Sequence, residues 1–244
     1  MAYKIYVKKD NSIKKRAINY FSYVFLISGS LLLFWSFYPI VSFEIYSRLF
    51  LKNNLKSPII DNDNSSQENN NNILGAFNVF SNNLRDYTKA SIWFPSITKP
   101  TNLPALSVKE YTLSIPKLNI KDAKVVVGGE DLDKSLIHYL PKSLPGEYGN
   151  VVIFGHSTLP QLYNVKDYKT IFTYLPSLEK NDIIKIKVND MEYTYQVYDM
   201  FVVDPDQISV LNQQTDDSYL TLITCVPPGT YLKRLVVKAK LRLI

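Results

Sequence analysis

Three textures follow one another along the chain. Ile18 to Val41 is a run of 24 residues without a charge, rich in Leu, Ile, Val and Phe. A helix rises about 1.5 Å per residue, so roughly 20 apolar residues cross the hydrocarbon core of a bilayer. Tyr20, Tyr23, Trp35 and Tyr38 lie towards the two ends of the run, where aromatic rings favour the membrane–water interface. The pattern predicts a transmembrane helix over residues 17–42 rather than the core helix of a soluble protein. A cleaved leader is disfavoured, because its apolar core is normally about 7–15 residues long and ends at a small-x-small site. Ser42-Phe43-Glu44-Ile45-Tyr46 is a poor site of that kind.

The second texture is polar. Asp61 to Asn72 contains only Asp, Asn, Ser, Gln and Glu, and cannot bury enough apolar surface to offset its ordering entropy. It predicts a flexible spacer over about 50–75. Residues 76–100 regain Phe77, Val79, Phe80, Leu84, Tyr87, Ile92, Trp93 and Phe94. They form either a short helix or lid packed on the C-terminal domain, or a segment lying on the membrane surface.

The third texture begins near Val108: short β-rich runs broken by turn residues. Strands are predicted over Tyr111–Ile115, Ala123–Val127, Asn150–Phe154, Ile183–Val188, Tyr193–Val203, Tyr219–Cys225 and Leu235–Leu243. Short helices are predicted over about 131–138, 168–179 and 207–213. No βαβ rhythm and no Gly-rich phosphate loop is present. About seven or eight strands in so short a stretch predict an all-β fold with short helices, closed into a small, mainly antiparallel barrel. No second apolar run comes after the last strand, so a single membrane crossing is expected.

Composition changes this picture at two points. The net charge of +6 suggests a polyanion partner until its location is read, since +5 of it sits in the first 16 residues. The folded part lacks the basic face that nucleic acid requires, so none is expected as a partner. By the positive-inside rule the same tail keeps residues 1–16 in the cytoplasm and places the chain beyond about residue 42 outside. One Cys among 244 residues excludes a disulfide framework and a thiolate zinc site, and two His leave little for a metal centre, so neither metal nor cofactor is expected.

The chemistry then centres on Cys225. Thr221-Leu222-Ile223-Thr224-Cys225 is a strand that Val226-Pro227-Pro228-Gly229 forces to stop, which puts the sulfur at a rim. A reactive thiol needs a proton partner that works near neutral pH. His156, at the end of Val151-Val152-Ile153-Phe154-Gly155-His156, also succeeds a strand. Arg234 opens the next strand, and a tight loop over 226–233 brings it to the rim that holds Cys225, as a stabiliser of oxyanion charge. His138 reads as a partly buried residue of a helix or turn. No acid or amide in the sequence is an obvious orienter for His156.

Together these residues resemble the sortases, cysteine transpeptidases of bacterial surfaces. Thr221-Leu222-Ile223-Thr224-Cys225 is similar to the family's TLxTC signature, with Gly155-His156 upstream and Arg234-Leu235-Val236 downstream in the family's order. Leu113-Ser114-Ile115-Pro116-Lys117-Leu118, Leu144-Pro145-Gly146-Glu147-Tyr148-Gly149-Asn150 and Asn181-Asp182, where Gly-Asp is more usual, add to the likeness. The resemblance covers about 110–244 and implies an eight-stranded sortase barrel as the catalytic domain, 108–244, beyond an extracellular spacer, 43–107. It implies that Cys225 cleaves an LPxTG-like sorting signal between Thr and Gly through a thioester. His156 would shuttle the proton, Arg234 would hold the substrate backbone or oxyanion, and Thr224 would contact substrate. The implied partners are surface proteins bearing the signal and an amine acceptor such as a cell-wall precursor. An extracellular peptidase of the same fold, a pilin-polymerising sortase and a non-catalytic surface module stay open as alternatives.

Overall fold

The computed structural model describes residues 12–50, 88–95 and 107–242. The first 11 residues of the basic tail, the Asn-rich stretch and the aliphatic and aromatic positions Phe77, Val79, Phe80, Leu84 and Tyr87 lie outside the described residues. The chain divides into two compact units, Met1–Phe43 and Glu44–Ile244.

A helix, α1, spans Ser12–Phe50. Within it Ile18–Tyr38, 21 residues of mean hydropathy 1.6, is exposed among the described residues and is long and apolar enough to cross a membrane. Its apolar side chains face outward all round, as in Phe25 at 75% exposure, a pattern suited to lipid rather than water.

The barrel begins at residue 110. Its strands are β1 Glu110–Ile115, β2 Ile120–Val127, β3 Leu136–His138, β4 Gly149–Phe154, β5 Ile183–Val188, β6 Met191–Val203, β7 Ser218–Val226 and β8 Lys233–Leu241. They close in the order β1-β2-β3-β4-β7-β8-β6-β5. Most pairings are antiparallel, but β2–β3 and β4–β7 run parallel. β1 alternates buried and less buried residues and stops at Pro116, which cannot donate to the ladder. β7 instead is buried at nearly every position, because β4 and β8 flank it within the sheet. Its threonines are satisfied inside the wall: the Thr221 hydroxyl bonds the Asn150 side chain at 2.7 Å.

The strand positions agree with the sequence pattern, and the helices do not. Residues 131–138, expected as a helix, form a turn and then β3, and His138 is a buried strand residue paired with Ile153. Leu136-Ile137-His138 is too short to display a period, and a parallel partner in β2 claims its backbone bonds. Residues 168–179 are turns ending in a 3-10 turn at Leu175–Ser177, where Pro176 opposes a longer helix. The third expected helix is a 3-10 turn at Ile208–Leu211.

Candidate active site

β7 and β8 pair directly, and the register sets Cys225 opposite Arg234 and Val226 opposite Lys233. The connection is short, and Gly229 turns it with φ +82, a conformation side-chain-bearing residues rarely adopt. The Thr230 amide and hydroxyl both donate to the Pro227 carbonyl, at 2.9 and 2.8 Å, and hold the turn. A short loop between paired strands therefore fixes thiol and guanidinium at one barrel rim.

His156 reaches that rim from the other side of β7. β4 runs parallel to β7 as far as the pair Phe154↔Ile223, and the Gly155 amide extends the ladder to the Ile223 carbonyl at 3.1 Å. Thr224 closes the next rung, its hydroxyl donating to the Gly155 carbonyl at 2.8 Å. The Ser157 hydroxyl then donates to the Cys225 carbonyl at 2.6 Å. Gly155 is required here, since a Cβ would stand 2.5 Å from a ring carbon of Phe172 and 2.6 Å from Leu136. Cys225, His156 and Arg234 are thus brought to one place. Thr224, expected from sequence as a substrate contact, is fully buried, and its hydroxyl ties the His156 strand end to β7.

A strap formed by residues 88–95 covers the site. The Ala90 amide donates to the Glu130 carbonyl at 3.0 Å and the Leu132 amide to the Thr88 carbonyl at 2.9 Å. This tethers the strap to the β2–β3 connection. Its Trp93 and Phe94 are fully buried. The Trp93 ring stacks on Phe154 at 5.2 Å, tilts against His156 at 5.5 Å and lies under the Arg234 guanidinium at 5.5 Å. The Trp93 carbonyl accepts from Arg234 Nη2 at 3.1 Å, while Nη1 donates to the Tyr231 and Lys233 carbonyls. Of residues 76–100, for which the sequence leaves a lid and a membrane-surface segment open, only 88–95 lie within the described residues.

Burial governs the electrostatics. Cys225 is 1% exposed, and burial pushes its thiol up, opposed by the Arg234 charge. Burial also pushes His156 down to about 4, with Asp133 and Asp131 opposing and Lys169 adding to the effect. So buried, both the thiol and the imidazole favour their neutral forms at physiological pH. Asp133 is set beside His156 by the turn before β3, within the stretch 131–138 expected from sequence as a helix. Its Oδ1 lies 3.8 Å from His156 Nε2. Among the described residues no cluster of His, Cys, Asp and Glu is suited to a metal ion.

Comparison with known proteins points the same way. The chain is 31% identical over 133 residues to sortase D of Bacillus subtilis strain 168, covering 52% of this chain and 61% of that protein. It is 29% identical over 146 residues to sortase A of Bacillus anthracis, covering 60% and 62%. The chain thus spans about three-fifths of the length of these relatives. Among solved structures, the pilus-related sortase C of Group B Streptococcus is 26% identical, with a TM-score of 0.49 over 65% of this chain and 84% of that one. The sortase domain profile matches residues 113–242, more than half of the chain and all but the first residues of the barrel. With its barrel and the rim of Cys225, His156 and Arg234 inside that match, the chain belongs to the sortase family.

Proposed function

We propose that this protein is a membrane-tethered cysteine transpeptidase that joins proteins bearing an LPxTG-like sorting signal to an amine acceptor at the cell surface. The observation that carries the reading is the pairing of Cys225 with Arg234 across β7 and β8, with His156 locked beside β7 through Gly155 and Thr224. In the proposed chemistry the Cys225 sulfur attacks the Thr carbonyl of the signal. The C–S bond forms, the Thr–Gly C–N bond breaks, and His156 gives a proton to the leaving amine. An incoming amine then takes the acyl group and restores the thiol. Arg234 holds the oxyanion or the substrate backbone with the fork of donors it now gives to Trp93, Tyr231 and Lys233.

The strap is part of this proposal. A peptide carbonyl reaching Cys225 has to displace Trp93, and the Trp93 carbonyl on Arg234 holds the place a substrate carbonyl would take. Displacement readmits water and charge stabilisation, which favours the thiolate–imidazolium pair. The N-terminal helix would hold the barrel outside the membrane, with the basic tail in the cytoplasm.

The test uses the full chain in detergent with an LPxTG-type fluorogenic peptide and triglycine, beside Cys225→Ala. Cys225-dependent cleavage with a triglycine-linked product is expected. Cleavage giving only free acid would replace the transpeptidase with a peptidase. Absence of turnover together with a Cys225 inert to iodoacetamide would leave only a non-catalytic surface module.

A further inference from the structure

A cavity of about 440 Å³ opens beside His156, and Asp133, Lys169, Thr158, Tyr231 and, from the strap, Thr88 share in its lining. His156 is 6% exposed, and its Nε2 has no hydrogen-bond partner among the described residues. The nearest acid oxygen, Asp133 Oδ1, stands 3.8 Å away, beyond direct hydrogen bonding. A single nitrogen donor placed between the two would reach both. On the other carboxylate oxygen, Oδ2, the Lys169 ammonium sits at 3.5 Å. Lys169 is 60% exposed on its side chain and Asp133 30%, so this ion pair is loose and exchangeable. Asp131 adds a second negative charge nearby, itself held by Lys134 at 2.7 Å. The corner of the cavity at His156 is therefore built to receive a cation with several N–H donors.

We propose that this cavity is the acceptor site and that Asp133 selects a primary amine over water, holding its ammonium against His156 Nε2 in the place Lys169 partly occupies. The inference rests on the transpeptidase reading and names how the second substrate is recognised. The step is balanced. The bound ammonium passes one proton to His156 Nε2, and the freed lone pair attacks the thioester carbonyl. The C–N bond forms and the C–S bond breaks. The nitrogen's second proton goes to the departing Cys225 sulfur, and the proton on His156 passes to solvent. Water, lacking positive charge, gains less from Asp133 and reaches the thioester at a disadvantage.

The experiment measures how one acyl-enzyme partitions among nucleophiles, a ratio that does not depend on how fast the acyl-enzyme forms. The full chain in detergent is given the signal peptide with triglycine, whose terminal amine with a pKa of about 8 is mostly protonated at neutral pH. In a parallel reaction it is given hydroxylamine, which is uncharged there. Asp133→Asn is expected to lower the ratio of triglycine product to free acid about tenfold, the worth of one charge-assisted hydrogen bond. The hydroxylamine ratio should stay within about twofold, because a neutral nucleophile makes no ion pair. Lys169→Met, an exposed change that serves also if Asp133→Asn fails to fold, should raise the triglycine ratio about twofold by removing the competing ammonium. An equal fall for both nucleophiles would mean that Asp133 acts only through His156 and would overturn the acceptor site. Unchanged ratios in both variants would overturn it as well, with the transpeptidase reading intact. Loss of all Cys225-dependent cleavage in the unsubstituted chain would instead remove that reading and the acceptor site with it.

Discussion

The two histidines sit within a few residues of each other in the fold, yet in opposite circumstances. His138 lies in β3 opposite Ile153 of β4, and His156 comes just after the end of that same β4. Both are buried, and both are pushed down, to about 3 and about 4. For His138 burial is the whole cause, and its ring meets Tyr111 edge-on at 5.9 Å. For His156 carboxylates oppose the burial, a cavity opens at its side and an aromatic cover lies above it. Burial alone makes a histidine inert. Burial beside charge, access and a thiol-bearing strand is the setting that the proposed chemistry requires of a base.

The comparison breaks most sharply at the reactive rim. Cys225→Ala should lower turnover of a sorting-signal peptide at least about a thousandfold, as expected for loss of a covalent nucleophile. His156→Gln should cost about a hundredfold or more, the usual range for a general acid–base, while His138→Leu stays within about threefold of the unsubstituted chain. Steady-state kinetics on purified variants decides this, and equal losses at the two histidines would erase the distinction. Arg234→Ala should come next at about a hundredfold, mostly in kcat.

The cover is a second way to sharpen the contrast. Trp93→Ala removes a fully buried ring and one wall of the His156 environment. The rate of Cys225 alkylation by iodoacetamide at pH 7 should rise about tenfold, since both exposure and thiolate fraction increase. An unchanged rate would mean the strap does not limit access.

The smallest effect belongs to His138 and is a matter of stability. The unfolded chain binds a proton near pH 6.5, whereas the native state does so only near 3. Stability is therefore intact above 6.5 and falls as pH drops from there towards 3. Between pH 7.5 and 5 this residue should account for a loss of about 2 kcal/mol, and His138→Leu should remove that share of the acid sensitivity in denaturant titrations. An identical pH dependence in the variant would show that the ring is not buried neutral.

Strand positions and the pairing of Cys225 with Arg234 are legible in the sequence because they are local. Thr221 to Cys225 carries its own strand, its own stop at the prolines and its own nucleophile, and the short loop to Arg234 forces the pairing. The hidden parts depend on parallel crossovers and on long-range packing. Asp133 has no meaning until β3 pairs with β2 and turns the residues before it towards His156. Trp93 reads as an apolar residue in an ambiguous segment, and its placement arises from backbone bonds to the β2–β3 connection, 40 residues away in the case of Ala90 and Glu130. The bond from the Thr224 hydroxyl to the Gly155 carbonyl is hidden for the same reason, since it needs β4 and β7 side by side.

The central claim is that Cys225, rather than another group of the chain, carries the acyl group. Its most direct test is intact-mass analysis and peptide mapping of the full chain after brief reaction with an LPxTG-type peptide and acid quenching. The account predicts an adduct of the acyl fragment's mass on the peptide containing Cys225, released by hydroxylamine and absent in Cys225→Ala. Peptide cleavage with no such adduct, or an adduct that persists in Cys225→Ala, would contradict it.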